Sequence, residues 1–487
     1  MVLRVVVALC VATQVAAAEP DELVGLGTPC VIAPAGPERF TQLPGPVSNV
    51  LFLNRCAGGC TIIGADRDDA RNMQSFIPPP GPHPFTEFGG RDGIVGNADD
   101  DDEWTKILSC VREVYSYYNV QVTDQVPPTG TFHMAMVSGE PEQIGLPPLT
   151  LGISPFACGG ADNAISFAFV KEHASISSDD FVKRVCWTIT HEAGHAFTLE
   201  HTYHWIDDDA PGCDDVMSYD DRSCHPLRYF RGRASNCGGF SEEPCRCGSV
   251  QNPHQKLLAL FGAGVPTVPP GTAAITTPVA NAMTGSVVIA AAGSRRGLGR
   301  VELFINGNRW LSQPGEDIGL LGQPDPATYV FALPRHLPDG IVDLVVRGHD
   351  DLGAVVESPM ITATRGAPCE SAETCLEGQT CDAGRCLWAV TGEQGDACTA
   401  NEFCSTGLCA GEGGKICTQT CVAADTTTCP EGYVCSETSE GSGVCLPPES
   451  GCCSAGTSQT PWLHGLAMFG FWALVIRRRR RRERGEP

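Results

Sequence analysis

Twenty-six cysteines, spaced in blocks along 487 residues, constrain this chain more than any other feature. Eleven lie from Cys30 to Cys247, none between Cys247 and Cys369, twelve from Cys369 to Cys445, and Cys452 and Cys453 follow. Cytosolic thiols are kept reduced, so this density predicts an exported chain stapled by disulfides. Met1 to Ala18 has one Arg, an apolar stretch holding Cys10 and then Ala16-Ala17-Ala18, which reads as a secretory signal peptide, residues 1–18. Residues 19–49 are read as a short N-terminal segment. The second block, within residues 366–448, has little apolar sequence, so bridges rather than a core must order it as a disulfide-rich small module. Its pairing cannot be read from spacing, and it has no CxxC pairs of zinc-ribbon type.

Chemistry concentrates in His191 to His201, HEAGHAFTLEH. At about 100° per residue, His191 and His195 project to one side of a helix, and Val182, Val185, Cys186, Ile189, Ala193 and Ala196 form a stripe on the other. That pattern predicts one face in a core and one looking into a cleft. Neutral imidazoles at i and i+4 suit tetrahedral zinc, and three protein ligands leave a fourth position for water. Zinc lowers the pKa of that water towards about 7, and a carboxylate beside the first histidine is placed to take its proton. Glu192 is therefore read as a general base and not as a ligand.

With His201 six residues after His195, the histidines and Glu192 resemble the metzincin clan of zinc peptidases, whose pattern is HExxHxxGxxH followed by a Met-turn. Val216-Met217-Ser218-Tyr219 is similar to that turn. The resemblance implies Zn2+ held by His191, His195 and His201, with Met217 as the hydrophobic base beneath it. It also implies Tyr219 as a phenol near the metal, able to stabilise an oxyanion. Thr198 departs from the pattern, standing where the family has Gly. A continued helix would carry His201 about 9 Å along the axis, so the chain must leave the helix first. A β-branched residue in a left-handed turn costs about 1–3 kcal/mol, which leaves two alternatives open: a turn of another geometry, or a different third ligand. His204 and Asp207 to Asp209 are the nearest substitutes, and Glu242 or Glu243 would serve in a different zincin.

Glu103 to Tyr118 reads as an amphipathic helix, Val50 to Leu53, Gln121 to Asp124 and Thr131 to Val137 as strands, and Ala164 to Val170 as a buried strand. Residues 50–262 are thus expected to form an α/β (α+β) metzincin-like zinc protease domain. Leu151 to Ser154, followed by Gly159, Gly160 and Asp162, resembles the matrix-metalloproteinase segment whose edge strand binds extended peptide; a plain loop fits the same residues. The odd count of eleven cysteines leaves one free, bridged to the later block, or acting as a latch on zinc like the cysteine switch of matrix metalloproteinases, with Cys30 and Cys56 as candidates.

Residues 265–365 alternate in Val287 to Ala290, Val301 to Ile305, Tyr329 to Leu333 and Ile341 to Val346, with Asn306-Gly307 and Pro338-Asp339-Gly340 as hairpin turns. This predicts an all-β sandwich, resembling bacterial immunoglobulin-like modules, as a spacer or a module for binding substrate or cell-surface material. The net charge is −24, and the last eleven residues, with seven Arg and two Glu, carry +5, so the preceding chain carries −29. That balance argues against nucleic acid as a partner. Asp99 to Asp102, Asp207 to Asp209, Asp214 with Asp215 and Asp220 with Asp221 are candidate Ca2+ sites without EF-hand spacing, or plain solvated acid.

Residues 449–487 form a tail in which the apolar stretch 461–476 precedes Arg477 to Arg482. The stretch falls short of the roughly 20 residues that span a bilayer, and the arginines would hold that end on the cytoplasmic side. With Cys452 and Cys453 ahead of it, the tail resembles the C-terminal sorting tails of myxobacterial surface proteins. That implies a short transmembrane helix as membrane partner, and display at the cell surface or outer membrane, or secretion after processing; a plain membrane anchor is the alternative. The whole reads as an exported zinc endopeptidase acting on protein or peptide substrates. Its rival is a catalytically inactive surface adhesion or binding protein with a metalloprotease-like domain.

Overall fold

The computed structural model describes residues 31–32, 47–173, 177–206, 212, 215–219, 228–282, 284–315, 326–411, 414–422, 428–439 and 442–448. These are mostly small β-sheets with few helices and ten disulfides, and they divide into two compact units between Val390 and Thr391. The signal segment 1–18 and the tail 449–487, with its apolar stretch 461–476, lie outside the described residues. Among the described residues no helix is long and apolar enough to cross a membrane.

The first unit begins with β1 (Val31–Ile32), β2 (Val50–Asn54), β3 (Cys60–Gly64), β4 (Gln74–Ser75), β5 (Gly81–Phe85) and α1 (Ala98–Tyr115). There follow β6 (Gln121–Thr123), β7 (His133–Val137), β8 (Gly152–Ser154), β9 (Ile165–Ala168), α2 (Ser178–Ala196), β10 (Thr202–Trp205), β11 (Ser235–Cys237) and α3 (Pro253–Phe261). Six strands make one sheet in the order β1-β8-β9-β7-β2-β6, parallel except where β8 meets β9. Parallel neighbours need a crossover, and α1 lies within the one between β2 and β6. Side chains alternate across the sheet: Leu51, Leu53, Ala135 and Val137 pack with the helices, and Phe52, Met134 and Met136 with the opposite core. Both faces are therefore buried. On the helix side Trp104, Ile107, Val111 and Val114 of α1 meet Phe181, Val182, Val185 and Ile189 of α2 in one core, and the Cys110–Cys186 disulfide joins the two helices.

The expected helix and strands are present, with ends shifted by at most five residues. The largest shift has a local cause. Asn97 caps α1 by accepting from Asp100 N, and Asp99, Asp100 and Asp101 fill the first turn. Acid is favoured there by the free amides and the helix dipole, so the run Asp99 to Asp102 is a helix start. The expectation that Leu151 to Ser154 forms an edge strand is corrected. β1 lies outside β8 in parallel, Val31 opposite Ile153 and Ile32 opposite Ser154. The first strand thus comes from the N-terminal segment rather than from Val50, and it covers the edge.

Next come β12 (Thr272–Thr277), β13 (Val287–Gly293), β14 (Arg300–Ile305), β15 (Asn308–Pro314), β16 (Ala327–Ala332), β17 (Gly340–His349), β18 (Val355–Glu357) and β19 (Ile361–Arg365). They form two antiparallel sheets, β12-β13-β16 and β15-β14-β17-β18, with β19 also paired to β17. Val288, Ala290, Tyr329 and Phe331 from one sheet share a core with Leu303, Ile305, Leu344 and Val346 from the other, which makes a sandwich. Asn306 and Gly307, at φ 50 and 84°, close the β14–β15 hairpin. Pro338-Asp339-Gly340 is not a hairpin turn, because it carries the chain from β16 in one sheet to β17 in the other.

The twelve cysteines from Cys369 to Cys445 pair as three successive groups of four, each joined first to third and second to fourth. Cys369–Cys381 interlocks with Cys375–Cys386, Cys398–Cys409 with Cys404–Cys417, and Cys421–Cys435 with Cys429–Cys445. The first group belongs to the first unit. Ile341 N donates to Gly384 O at 2.9 Å, and Arg385 pairs with Asp343 of β17 at 2.8 Å. The compact division therefore falls inside residues 366–448, with the two later groups in the second unit.

Candidate metal centre

Helix α2 starts at Ser177, whose hydroxyl accepts from Asp180 N, and ends in a Schellman turn. Thr198 N donates to His195 O at 3.0 Å and Leu199 N to Gly194 O at 2.9 Å. Thr198 itself takes φ +85°, the left-handed conformation that favours glycine. The threonine thus adopts the strained geometry directly. Its Oγ1 accepts from Gly159 N at 3.0 Å, a bond glycine could not make. Thr198→Val keeps the strain and removes the acceptor of the exposed Gly159 N, and is expected to lower stability by about 0.5–1.5 kcal/mol. Thr198→Gly exchanges strain for the lost bond and added chain entropy, and is expected to stay within about 1 kcal/mol of wild type. Denaturant midpoints of the two variants check this, and a strongly stabilised Thr198→Gly would mean the hydroxyl contributes nothing.

This turn brings His201 back beside the helix. His195 Nε2 lies 3.0 Å from Nε2 of both His191 and His201. His191 Nδ1 is 2.8 Å from Val216 O, and His195 Nδ1 is 2.7 Å from Leu199 O. A carbonyl only accepts, so both Nδ1 atoms carry the proton and both Nε2 atoms present lone pairs. Two lone pairs at 3.0 Å repel unless a cation lies between them. Zn–N bonds of about 2.0–2.1 Å at a tetrahedral angle place nitrogens about 3.3 Å apart, so the three residues fit that ion. Burial holds His191 well below the ordinary imidazole range, helped by the His195 ring. Burial likewise lowers His195 to about 4. It also holds His201 well below its usual value, with the other two rings adding to the effect. All three are neutral near pH 7, as ligation requires.

The Met-turn candidate supports this trio from beneath. Val216 O accepts from Trp187 Nε1 at 2.7 Å as well as from His191. Met217 is fully buried and packs under α2 at Gly194, where a Cβ would stand 2.7 Å from its Sδ. Asp215 anchors the turn. Its Oδ1 accepts from Met217 N at 2.7 Å and Thr202 Oγ1 at 3.2 Å, and its Oδ2 from Arg231 N at 2.7 Å. Asp215 is fully buried. It is a structural carboxylate, not the solvated or calcium-binding one expected from its pairing with Asp214. Asp207 to Asp209, Asp214, Asp220 and Asp221 lie outside the described residues.

Glu192 is buried, and β8 crosses directly against it: a Cβ at Gly152 would stand 2.7 Å from its Cγ and Oε1. The histidine side of α2 is buried like its core side, for every residue from Thr188 to Ala196 is buried, whereas His201 is partly exposed. The Tyr219 ring lies 3.9 Å from that of His201 and 5.7 Å from that of His191. Phe240, 76% exposed, follows at 5.2 Å from Tyr219, on a loop closed by Cys237–Cys245. Phe240 is marked by no motif, and sequence reasoning, which placed Asp215 in an acidic pair and Gly152 in a strand, missed the anchoring of the turn by Asp215 and the packing of Gly152 against Glu192.

Among the described residues, none of the substitute ligands joins the trio. His204 packs against the neighbouring Tyr203 ring, Glu242 is exposed and accepts from Asn236, and Glu243 is exposed. Cys56 is bonded to Cys60 and is no thiol latch. Cys110–Cys186, Cys158–Cys247 and Cys237–Cys245 account for six more of the first eleven cysteines, and Cys30, Cys213 and Cys224 lie outside the described residues.

No family model matches this chain, and no curated protein matches it. Among solved structures it is similar to fibronectin(III)-like modules of Clostridium thermocellum CbhA, at 19% identity over 20% of this chain and 96% of that one, with a TM-score of 0.14. It is also similar to wild-type OgpA from Akkermansia muciniphila, at 12% identity over 48% of this chain and 64% of that one, with a TM-score of 0.15. Likenesses of this extent say nothing about activity.

Proposed function

We propose that this chain is a zinc-dependent endopeptidase of metzincin type, acting on proteins outside the cytoplasm. The observation that carries the proposal is the convergence of His191, His195 and His201 through Nε2 atoms, with Nδ1 of His191 and of His195 committed to carbonyls. When bound, Zn2+ supplies a Lewis acid for the scissile carbonyl and lowers the pKa of water at the open position. Glu192 accepts the proton of that water at a carboxylate oxygen and returns it to the leaving amine. Gly152 leaves room for this side chain beside the sheet. Tyr219, whose ring lies against that of His201, is the candidate donor to an oxyanion. Phe240 offers an exposed apolar face to a substrate side chain next to the centre. An extended peptide would pair with β8, so β1 must give way to it. The ten disulfides support an exported location.

The full chain is expected to bind one zinc and to hydrolyse casein or gelatin. In His201→Ala, zinc affinity should fall by more than the roughly 10–100-fold that outer-shell changes cost. Full affinity in that variant would assign the third ligand elsewhere. A chain that binds one zinc and cleaves neither protein, even with its N-terminal segment removed, would instead be a binding protein.

A further inference from the structure

We infer that the β-sandwich is a working part of the metal centre, with Asp351 a positioning residue that holds the Met-turn against α2. The link runs through Tyr229 to Gly232. On one side, Val216 N donates to Tyr229 O at 3.2 Å, Arg231 N donates to Asp215 at 2.7 Å, and Phe230 packs at Gly194. On the other side, the sandwich grips the same four residues. Asp351, just beyond β17, accepts from Gly232 N at 2.8 Å and from Arg296 Nε and Nη2 at 2.5 and 2.8 Å. Arg296 Nη2 donates to Phe230 O, and Arg231 Nη1 donates to Arg296 O.

These groups are interior. The Arg231 and Arg296 side chains are 2% and 1% exposed, and Asp351 is 10% exposed. Burial disfavours the Asp351 charge, yet Arg296 and Arg231 hold the carboxyl well below the usual range. Removing that charge leaves two buried guanidiniums facing each other without their shared partner. A second clamp lies alongside, where Arg295 forks onto Glu113 of α1 at 2.9 and 2.8 Å and Glu113 also accepts from Tyr229 Oη. The chain of contacts is short: Asp351 fixes Arg231 and Gly232, Arg231 fixes Asp215, and Asp215 fixes the turn whose Val216 carbonyl sets the His191 tautomer. Outer-shell groups of this kind orient metal ligands.

The catalytic consequence rests on the zinc-peptidase reading, whereas the metal consequence does not. The test uses full-length Asp351→Asn beside Asp343→Asn, a control on the same sandwich whose carboxylate pairs with Arg385 of the first disulfide group. Zinc affinity is measured by chelator competition well below each unfolding midpoint, with amide exchange in 215–219 and 228–232 followed in parallel. Asp351→Asn is expected to bind zinc about 10-fold more weakly, to exchange faster in those two stretches but not in α1, and to lose kcat more than it gains KM. Asp343→Asn should match wild type. If Asp351→Asn does not fold, Arg296→Lys, which keeps the charge and loses the fork, should show the same changes to a smaller extent. Unchanged zinc affinity and exchange in the folded variant overturns the inference. Weakened zinc in a chain that never cleaves peptide keeps the inference and removes the peptidase reading.

Discussion

Glu192→Gln is expected to bind zinc as wild type does and to hydrolyse casein about 10²–10⁴-fold more slowly, the range a positioned general base contributes. The two side chains have the same shape, which matters where Glu192 is buried and Gly152 has no room to give. The ligands should not notice the change. His191 and His195 take their tautomers from Val216 O and Leu199 O, and neither depends on Glu192. What glutamine cannot do is accept the proton of the attacking water. Metal content and casein hydrolysis measured on the same preparation check this. A variant with one zinc and more than a tenth of wild-type activity would show that Glu192 is not the base.

Cutting the chain at a site engineered between residues 33 and 46 and washing away the N-terminal piece is expected to lower KM about 10–100-fold with kcat unchanged. β1 pairs with β8 over only two residues, Val31 with Ile153 and Ile32 with Ser154. Backbone hydrogen bonds contribute about 0.5–1.5 kcal/mol each, so so short a ladder closes the edge by a few kcal/mol at most. An apparent affinity falls by the fraction of molecules whose site is open, which sets the expected range. An unchanged KM after complete removal would mean that substrate pairs elsewhere than on β8.

Much of the fold and of the candidate site was legible because its signals are local. The helical period places His191 and His195 on one side of α2, and the buried stripe from Val182 to Ala196 came from the same arithmetic. Alternation marked β13, β14, β16 and β17, and Asn306-Gly307 announced its hairpin by the positive φ it tolerates. Thr198 was legible as a conflict but not as its outcome, since the Gly159 amide that bonds its hydroxyl is distant in sequence.

The chain by itself thus determined the spacing of the three histidines and Glu192, the cysteine blocks and the strand alternation, because each depends on residues a few positions apart. Only the tertiary structure decided that β1 covers β8 and that Asp215 is buried. It also decided that the first four cysteines of the second block belong with the sandwich, and that Asp351 bonds the Gly232 amide beside the segment that anchors Asp215. Those are contacts between remote segments, where burial and charge pairing, which no short-range period records, select one partner among many of the same residue type.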